Sequence, residues 1–413
     1  FTVAENIILG QPSSRGPLLE DKRKVRQRIS EISAQFVLEA KPDLEIWQLS
    51  VGEQQRVEIL KALYRGADVL ILDEPTAVLT PQEADELLLI IKVLAAQGRG
   101  IVFISHKLNE VLAISDRITV LRDGHVVGTV RPKEEQTTRD DLARMMVGRE
   151  VLLRVTKPPK ESGETRLVIE DLWVRDDRDL PAIKGINLEV HAGEILGLAG
   201  VAGNGQRQLE EALRGLRPVD KGRILLNGQE ITRSSPSDII ELNVGHIPSD
   251  RYGRGMLDDI SVAENLVLEK FWQEPFTHRH LLNYKAIYAA AERLIKQYDV
   301  RTPSATALAG KLSGGNAQKM VVARELSLNP KFLLAAQPTR GLDVSAIEHI
   351  HRILIEQRSQ DVAILLISTE LEEIFALSDR IAVIYEGKII DIVPGDKKYQ
   401  NEVGMMMAGI RSK

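Results

Sequence analysis

Apolar residues recur at helical spacing between residues 20 and 40, where Val25, Ile29, Ile32 and Phe36 stand among charged neighbours until Pro42 and Asp43 break the pattern. Leu49 to Glu53 reads as a loop that opens a helix from Gln54 to about Tyr64. The run VLIL at 69–72 predicts a short buried strand, and Pro75 blocks its extension. Gln82 to Ala96 returns to helical period, and IVFIS at 101–105 predicts a second buried strand. Farther along, LEVHAGEILGLAGVAGNGQRQLEEAL at 188–213 gives strand, glycine-rich loop and helix, and Tyr284 to Tyr298 gives another charged helix. Strands interleaved with helices predict an α/β fold built on a mostly parallel sheet.

The pattern repeats. LSVGEQQRVEILKALYRGADVLILDEPTAVL from Leu49 is matched by LSGGNAQKMVVARELSLNPKFLLAAQPTRGL from Leu312, 263 positions later, and SDRITVLRDGHVVGTV from Ser115 by SDRIAVIYEGKIIDIV from Ser378 at the same offset. TVAENIIL from Thr2 matches SVAENLVL from Ser261 at an offset of 259, so one small insertion separates these anchors. A correspondence of this length with one small insertion predicts two homologous domains, 1–156 and 166–413, joined by a linker at 157–165 that contains the Pro- and Gly-bearing stretch KPPKESGE. Phe1 aligns with Ile260, whereas the second copy begins near Leu167, so roughly 90 residues of the first copy are expected to lie outside this sequence. The copies differ in chemistry. A strand ending in Asp73 and Glu74 can hold a magnesium ion and a general base, and one ending in Ala336 and Gln337 can do neither.

Composition narrows the function classes. The 413 residues are 43% apolar, enough for two ordinary cores. A net charge of −5 and a pI near 6.0 give no electrostatic footprint for nucleic acid, which is not expected as a partner. The absence of cysteine excludes disulfides and thiolate metal sites. No apolar run approaches the ~18 residues needed to cross a bilayer, and no stretch reads as a signal peptide.

LSVGEQQ and LSGGNAQ, each followed at the same distance by an apolar strand and a Pro-Thr pair, resemble the signature loops of ABC transporter ATP-binding subunits. The resemblance covers essentially the whole chain. It implies tandem P-loop NTPase domains, each with a mostly parallel sheet core, a helical subdomain and an antiparallel β part. It also implies ATP and Mg2+ as ligands. In that family two domains face head to tail, with ATP held between the phosphate loop of one and the signature loop of the other.

By this resemblance Asp73 holds magnesium through water, Glu74 is the general base, and His106, at the end of the next strand, is the switch histidine reaching the γ-phosphate. Paired acids at a strand end are commonly solvated turn residues, but a signature loop 20 residues upstream favours the catalytic reading. Ser313, Gly314, Gly315 and Asn316 form the more complete signature loop, and Asp343 stands at the family's cross-dimer aspartate. In the first copy Val51 interrupts the glycines while Ser50, Gly52 and Glu53 remain, and Thr80 replaces the aspartate. GVAGNGQR has the glycine spacing of a P-loop in Gly200, Gly203 and Gly205, with Asn204 between them. Gln206 stands where the family has lysine and Arg207 where it has the magnesium-binding hydroxyl. Ser249 replaces the glutamine-loop residue, and Ala336, Gln337 and Thr369 replace Asp73, Glu74 and His106. The family's pairing collects every departure in one composite site, leaving one hydrolytic site and one degenerate site that binds nucleotide with little turnover. Because the competent site's own P-loop is not in this sequence, the fragment alone is expected to be nearly inactive.

Tandem domains with a degenerate second P-loop resemble the subunits that energise bacterial import of simple sugars and nucleosides, and the segments quoted are most similar to the nucleoside branch. The implied partners are two transmembrane permease subunits and, indirectly, an extracytoplasmic solute-binding protein. The implied location is peripheral, at the cytoplasmic face of the cell membrane. The alternative is a soluble tandem ABC ATPase acting on ribosomes, but those proteins carry EPTNHLD where this chain has EPTAVLT and QPTRGLD.

Overall fold

The structure, a computed structural model, describes residues 1–11, 22–36, 38, 40–49, 51–76, 79, 81–122, 124–148, 157–201 and 203–410. Ser50, Thr80 and the side chain of Val51 lie outside the described residues. The chain divides into two compact units, Phe1–Val151 and Leu152–Lys413.

In the first unit the elements are α1 (Val3–Ile8), α2 (Lys22–Phe36), α3 (Val51–Tyr64), β1 (Val69–Asp73), α4 (Pro81–Ala96), β2 (Gly100–Ile104), α5 (Leu108–Ile114), β3 (Ile118–Arg122), β4 (His125–Val130), α6 (Pro132–Glu135) and α7 (Arg139–Val147). Val25, Ile29, Ile32 and Phe36 are the buried face of α2, as their spacing predicts. Helix α3 starts at Val51, earlier than the expected Gln54. Gln54 Nε2 donates to the carbonyls of Ile46 and Leu49 at 3.3 and 3.1 Å, so the chain has turned by Leu49 and the signature residues are already helical.

Strands β1 and β2 pair in parallel and end together at Asp73 and Ile104. They differ from the expected buried strands. Leu70 and Leu72 are buried, but Val69, Ile71, Val102 and Ile104 are 61%, 70%, 48% and 47% exposed. The helical face packs on one side of the pair, and no described element of this unit covers the other. Strands β3 and β4 form a separate antiparallel hairpin with a register shift between Val120 and Leu121.

The second unit contains β5 (Thr165–Arg175), β6 (Pro181–His191), β7 (Ile195–Ala199), α8 (Gln206–Leu213), β8 (Lys221–Leu226), β9 (Gln229–Glu230), α9 (Pro236–Glu241), β10 (Val244–Ile247), α10 (Val262–Val267), β11 (Thr277–His278), β12 (Leu281–Leu282), α11 (Tyr284–Gln297), α12 (Gly314–Leu326), β13 (Phe332–Ala336), α13 (Val344–Ser359), β14 (Ala363–Ser368), α14 (Leu371–Leu377), β15 (Arg380–Tyr385), β16 (Lys388–Pro394) and α15 (Gln400–Met407). Its central sheet runs β10-β13-β14-β7-β15-β16, parallel except for the β15–β16 hairpin. A second, antiparallel sheet runs β6-β5-β8-β9. Both faces of the central sheet are covered, so β7, β13 and β14 are buried throughout, which is why they read as uninterrupted apolar runs. A separate cluster around α10, α11 and α12 makes the helical part.

The expected linker is anchored to this unit. Lys160 Nζ donates to the carbonyls of Arg358 and Ser359, Arg358 Nη1 donates to Pro158 O, and Gly163 N donates to Ala192 O.

The two units repeat details beyond sequence. Capping boxes open α1 (Thr2, Glu5) and α10 (Ser261, Glu264), and the β15–β16 hairpin shifts register between Val383 and Ile384, at the same offset as β3–β4.

Candidate nucleotide sites

The parallel pairing of β1 and β2 brings Asp73, Glu74 and His106 to one sheet end. Asp73 is exposed at the last position of β1. Glu74 follows in the left-handed region, φ 45°, with its N–H donating to Ile104 O at 2.9 Å. A non-glycine residue there is uncommon and strained, and here the strain turns the carboxyl group across toward β2. Glu74 Oε1 accepts from the backbone N–H of His106 at 3.1 Å and lies 2.8 Å from its Nδ1. An ionised carboxylate only accepts, so Nδ1 carries the hydrogen in this contact. Glu74 Oε2 is buried with no protein partner. One oxygen therefore holds the histidine and the other is left without a protein partner.

The second unit keeps this geometry without the charge. Gln337 has φ 47°, its N–H donates to Ile367 O at 2.7 Å, and its Oε1 accepts from Thr369 N and Oγ1 at 3.4 and 3.3 Å. Ala336, buried in β13, has no carboxylate to offer. The supports recur as well. Thr76 Oγ1 donates to Glu110 Oε2 at 2.6 Å, and Thr339 Oγ1 to Glu373 Oε1 at 2.7 Å.

The glycine-rich loop leaves β7 and enters α8 as its spacing predicts. Gly205 is the helix N-cap with φ +106°, and a Cβ there would stand 2.7 Å from Ala182 O. No side chain caps the first-turn amides of α8, which is the arrangement an anion can fill. Asn204 ties the loop to the β15–β16 turn, accepting from Glu386 N at 2.8 Å and from Gly387 N at 3.1 Å. Gln206 folds back and donates to Val201 O at 3.0 Å, and a Cβ on Gly200 would approach its Nε2 to 2.7 Å. Gly203 is exposed and has φ +94°.

Arg207 points outward to Glu211 Oε1 (2.8 Å) and Asp177 Oδ2 (3.1 Å). Burial opposes ionisation of Glu211, but hydrogen bonds from Arg207, Arg217 and Arg254 outweigh it and hold its carboxyl below the usual range.

Ser313 is the N-cap of α12 but makes no side-chain cap bond, and its Oγ accepts from Asn316 Nδ2 at 2.9 Å. Gly315 packs close to α13, where a Cβ would meet that of Ala346 at 3.3 Å. Asp343 caps α13 through Ala346 N, 2.9 Å away. In the first unit Gly52 packs under Glu83, and Glu53 pairs with Lys41 at 2.9 Å. Ser249, at the glutamine-loop position, donates to the buried Glu210 at 2.8 Å, and Glu210 also bonds His246. It is a structural partner of the α8 helix.

Sequence reading missed Arg251. Its guanidinium donates to Gly314 O at 2.8 Å and to Arg340 O, so it ties the signature helix to the turn before Asp343. Its only sequence signal is an arginine in a glycine-rich loop. The arginine cluster on Glu211 was likewise not legible, because its members come from three segments.

Magnesium suits one strand end and not the other. Asp73 supplies an exposed hard oxygen beside Glu74, which fits a cation that keeps most of its water and binds phosphate. Among the described residues no group of three or more potential metal-binding side chains occurs, so protein ligands would be few. The second unit offers Ala336, an amide oxygen already taken by Thr369, and a guanidinium. These do not fit magnesium.

Comparison with known proteins places the chain. The family described as ABC transporter matches residues 1–77 and 183–340. A guanosine import ATP-binding protein, NupO, of Bacillus subtilis (strain 168) is 47% identical over 414 residues, covering 100% of this chain and 80% of that protein. The nucleoside import ATP-binding protein NupA of Lactococcus lactis subsp. cremoris (strain MG1363) is 46% identical, covering 99% and 80%. A glucose import ATP-binding protein, TsgD13, of Haloferax volcanii is 41% identical, covering 99% and 79%. A nucleotide-free ATP-binding cassette from an ABC transporter shares the fold, with TM-score 0.50, 20% identity and coverage of 57% of this chain and 94% of its own. By these matches the chain belongs to the ATP-binding, ATP-hydrolysing subunits of ABC transporters.

Proposed function

We propose that this subunit drives import of a nucleoside, with simple sugars as the neighbouring solute class, and that it does so with two ATP-binding cassettes of unequal chemistry. The guanosine and nucleoside import of NupO and NupA favours a nucleoside, and the glucose import of TsgD13 keeps sugars within the class. The partners are two permease subunits that carry the solute path and a solute-binding protein outside the membrane. No described helix is long and apolar enough to cross a membrane. The proposed place is peripheral, at the inner face of the membrane beside the permeases.

One observation carries the chemical reading: Glu74 is braced by His106 through one oxygen and keeps a buried, unpartnered second oxygen. In the proposed mechanism Glu74 Oε2 accepts the proton of the attacking water, and His106 is held facing the γ-phosphate. Asp73 would hold magnesium through water, and the ion would neutralise phosphate charge. Gln337 and Thr369 copy the frame but provide no base, so the second unit holds nucleotide through Gly200–Arg207 with little turnover. Ser313–Asn316 and Asp343 present the fuller signature, Ser50–Glu53 the weaker one.

The first unit is read as a cassette that needs a P-loop strand and helix against its open sheet. Its exposed Val69, Ile71, Val102 and Ile104 correspond at the constant offset to Phe332, Leu334, Leu365 and Ile367, exposed by only 2%, 0%, 0% and 2%. Those four belong to the core that includes residues of β5, β6 and α8. An equivalent strand–loop–helix segment would bury the same face of the first unit, and hydrophobic burial at ~25 cal/mol per Å2 would drive its docking.

The experiment is purification from membranes in mild detergent together with uptake of labelled guanosine and labelled ribose. Co-purification with permeases and uptake lost in Glu74→Gln support the proposal. Association with ribosomes alone would sink it.

A further inference from the structure

We propose that the glycine-rich loop of the second unit binds a nucleoside triphosphate without a metal ion, Arg207 taking the place of magnesium beside the phosphates. This rests on the reading of Gly200–Arg207 as a nucleotide site. The donor set carries it. The position that would supply a hydroxyl ligand is a guanidinium, the strand-end carboxylate is Ala336, and Gln337 is occupied by Thr369. At these three positions a hydrated dication finds no carboxylate or hydroxyl ligand and would meet a guanidinium instead. An arginine fork, by contrast, matches phosphate oxygens directly.

The arrangement also lets Arg207 move. Three arginines, Arg207, Arg217 and Arg254, share two acids, Glu211 and Asp177, leaving one positive charge in excess. Glu211 is buried, and Arg217 Nε (2.5 Å) and Arg254 (2.7 Å) would still hold it if Arg207 left. Asp177 would keep Arg217 at 2.5 Å. No buried carboxylate is stranded by the exchange. The side chain of Arg207 is 53% exposed, whereas that of Arg217 is 13% exposed, so Arg207 is the releasable member. A cation in the first turn of α8 opposes the helix dipole, and a bound polyphosphate removes that conflict while accepting from the uncapped amides.

The test is equilibrium binding of ATP to the intact 413-residue chain, once with Mg2+ and once with excess EDTA. Affinity in EDTA is expected to equal or exceed that in Mg2+ within about threefold. Arg207→Ser should weaken metal-free binding by roughly tenfold or more, the loss of charged hydrogen bonds to phosphate. Arg207→Lys, which keeps the charge, should lose less, and thermal melts establish that both variants fold. Binding abolished by EDTA, or metal-free binding unchanged in Arg207→Ser, would overturn the inference while leaving the nucleotide site standing. Absence of ATP binding in both conditions would overturn the nucleotide-site reading and the inference with it.

Discussion

Replacing Glu74 with glutamine removes one negative charge and almost nothing else, because the second unit already contains the product. Gln337 takes φ 47° where Glu74 takes 45°, donates its N–H to Ile367 as Glu74 does to Ile104, and accepts from Thr369 with the oxygen that corresponds to Glu74 Oε1. The variant should therefore keep the left-handed turn and the contact to His106, and its stability should change by less than ~1 kcal/mol. The lost function belongs to Oε2, which becomes an amide nitrogen unable to take a proton from water.

General-base catalysis contributes ~10²–10⁴ in rate. At ~1.36 kcal/mol per decade, that is about 2.7–5.5 kcal/mol of barrier. ATP turnover, followed as phosphate release on protein extended by the P-loop segment proposed for the first unit, should fall by that factor while ATP binding stays within a few-fold. The reciprocal change, Gln337→Glu, should leave turnover unaltered, since neither Ala336 nor Arg207 can support a metal ion beside it. Turnover within threefold of wild type in Glu74→Gln, or a gain in Gln337→Glu, would refute the division of labour between the strand ends.

Further expectations concern the second unit's frame. Arg251→Ala should cost about 2 kcal/mol in urea denaturation, since two guanidinium–carbonyl bonds to Gly314 and Arg340 are lost, and Arg251→Lys should not restore it because a single ammonium lacks the fork. Gly205→Ala, forced to φ +106° with a Cβ 2.7 Å from Ala182 O, should destabilise the unit by ~1–3 kcal/mol and weaken ATP binding, and a normal melt would count against the loop geometry. Burial, aided by the neighbouring Glu325, pushes the Glu269 carboxyl from 4.5 up to about 7. The folded state thus keeps a proton that the unfolded state releases above pH ~4.5, so stability falls as pH rises from about 4.5 to 7, by about 3 kcal/mol. Glu269→Gln should flatten that slope and raise the melting temperature at pH 8. Parallel stability–pH curves for the two proteins would contradict this.

Much of the frame was legible because it rests on period and offset. The apolar stripe of α2, the parallel order of strands and helices and the strand–loop–helix of β7 and α8 follow from spacing alone, since each encodes a face that must be buried. Burial of β1 and β2 was not legible. An apolar run such as VLIL says that a strand can be covered on both faces, and the chain decides whether a cover is present; here Val69 and Ile71 are open. The left-handed turn at Glu74 was also hidden, as glutamate carries no preference for positive φ. Arg251 and the arginines around Glu211 escaped because ion pairs between distant segments leave no periodic trace.

The repeated supports let the two strand ends differ in chemistry while keeping one shape. The turn at Glu74 and Gln337 is fixed by a backbone bond to the neighbouring strand and by a threonine two residues on, Thr76 or Thr339, whose hydroxyl bonds a glutamate, half-buried Glu110 or buried Glu373. None of those contacts uses the side-chain charge of Glu74 or Asp73. Gln337 and Ala336 in place of a glutamate and an aspartate would therefore remove the proposed base and ion ligand while each backbone bond persists, a change nearly neutral in stability. The same separation accounts for Arg207. Its partner Glu211 is secured by Arg217 and Arg254, so a change of charge at position 207 would not strand that buried carboxylate.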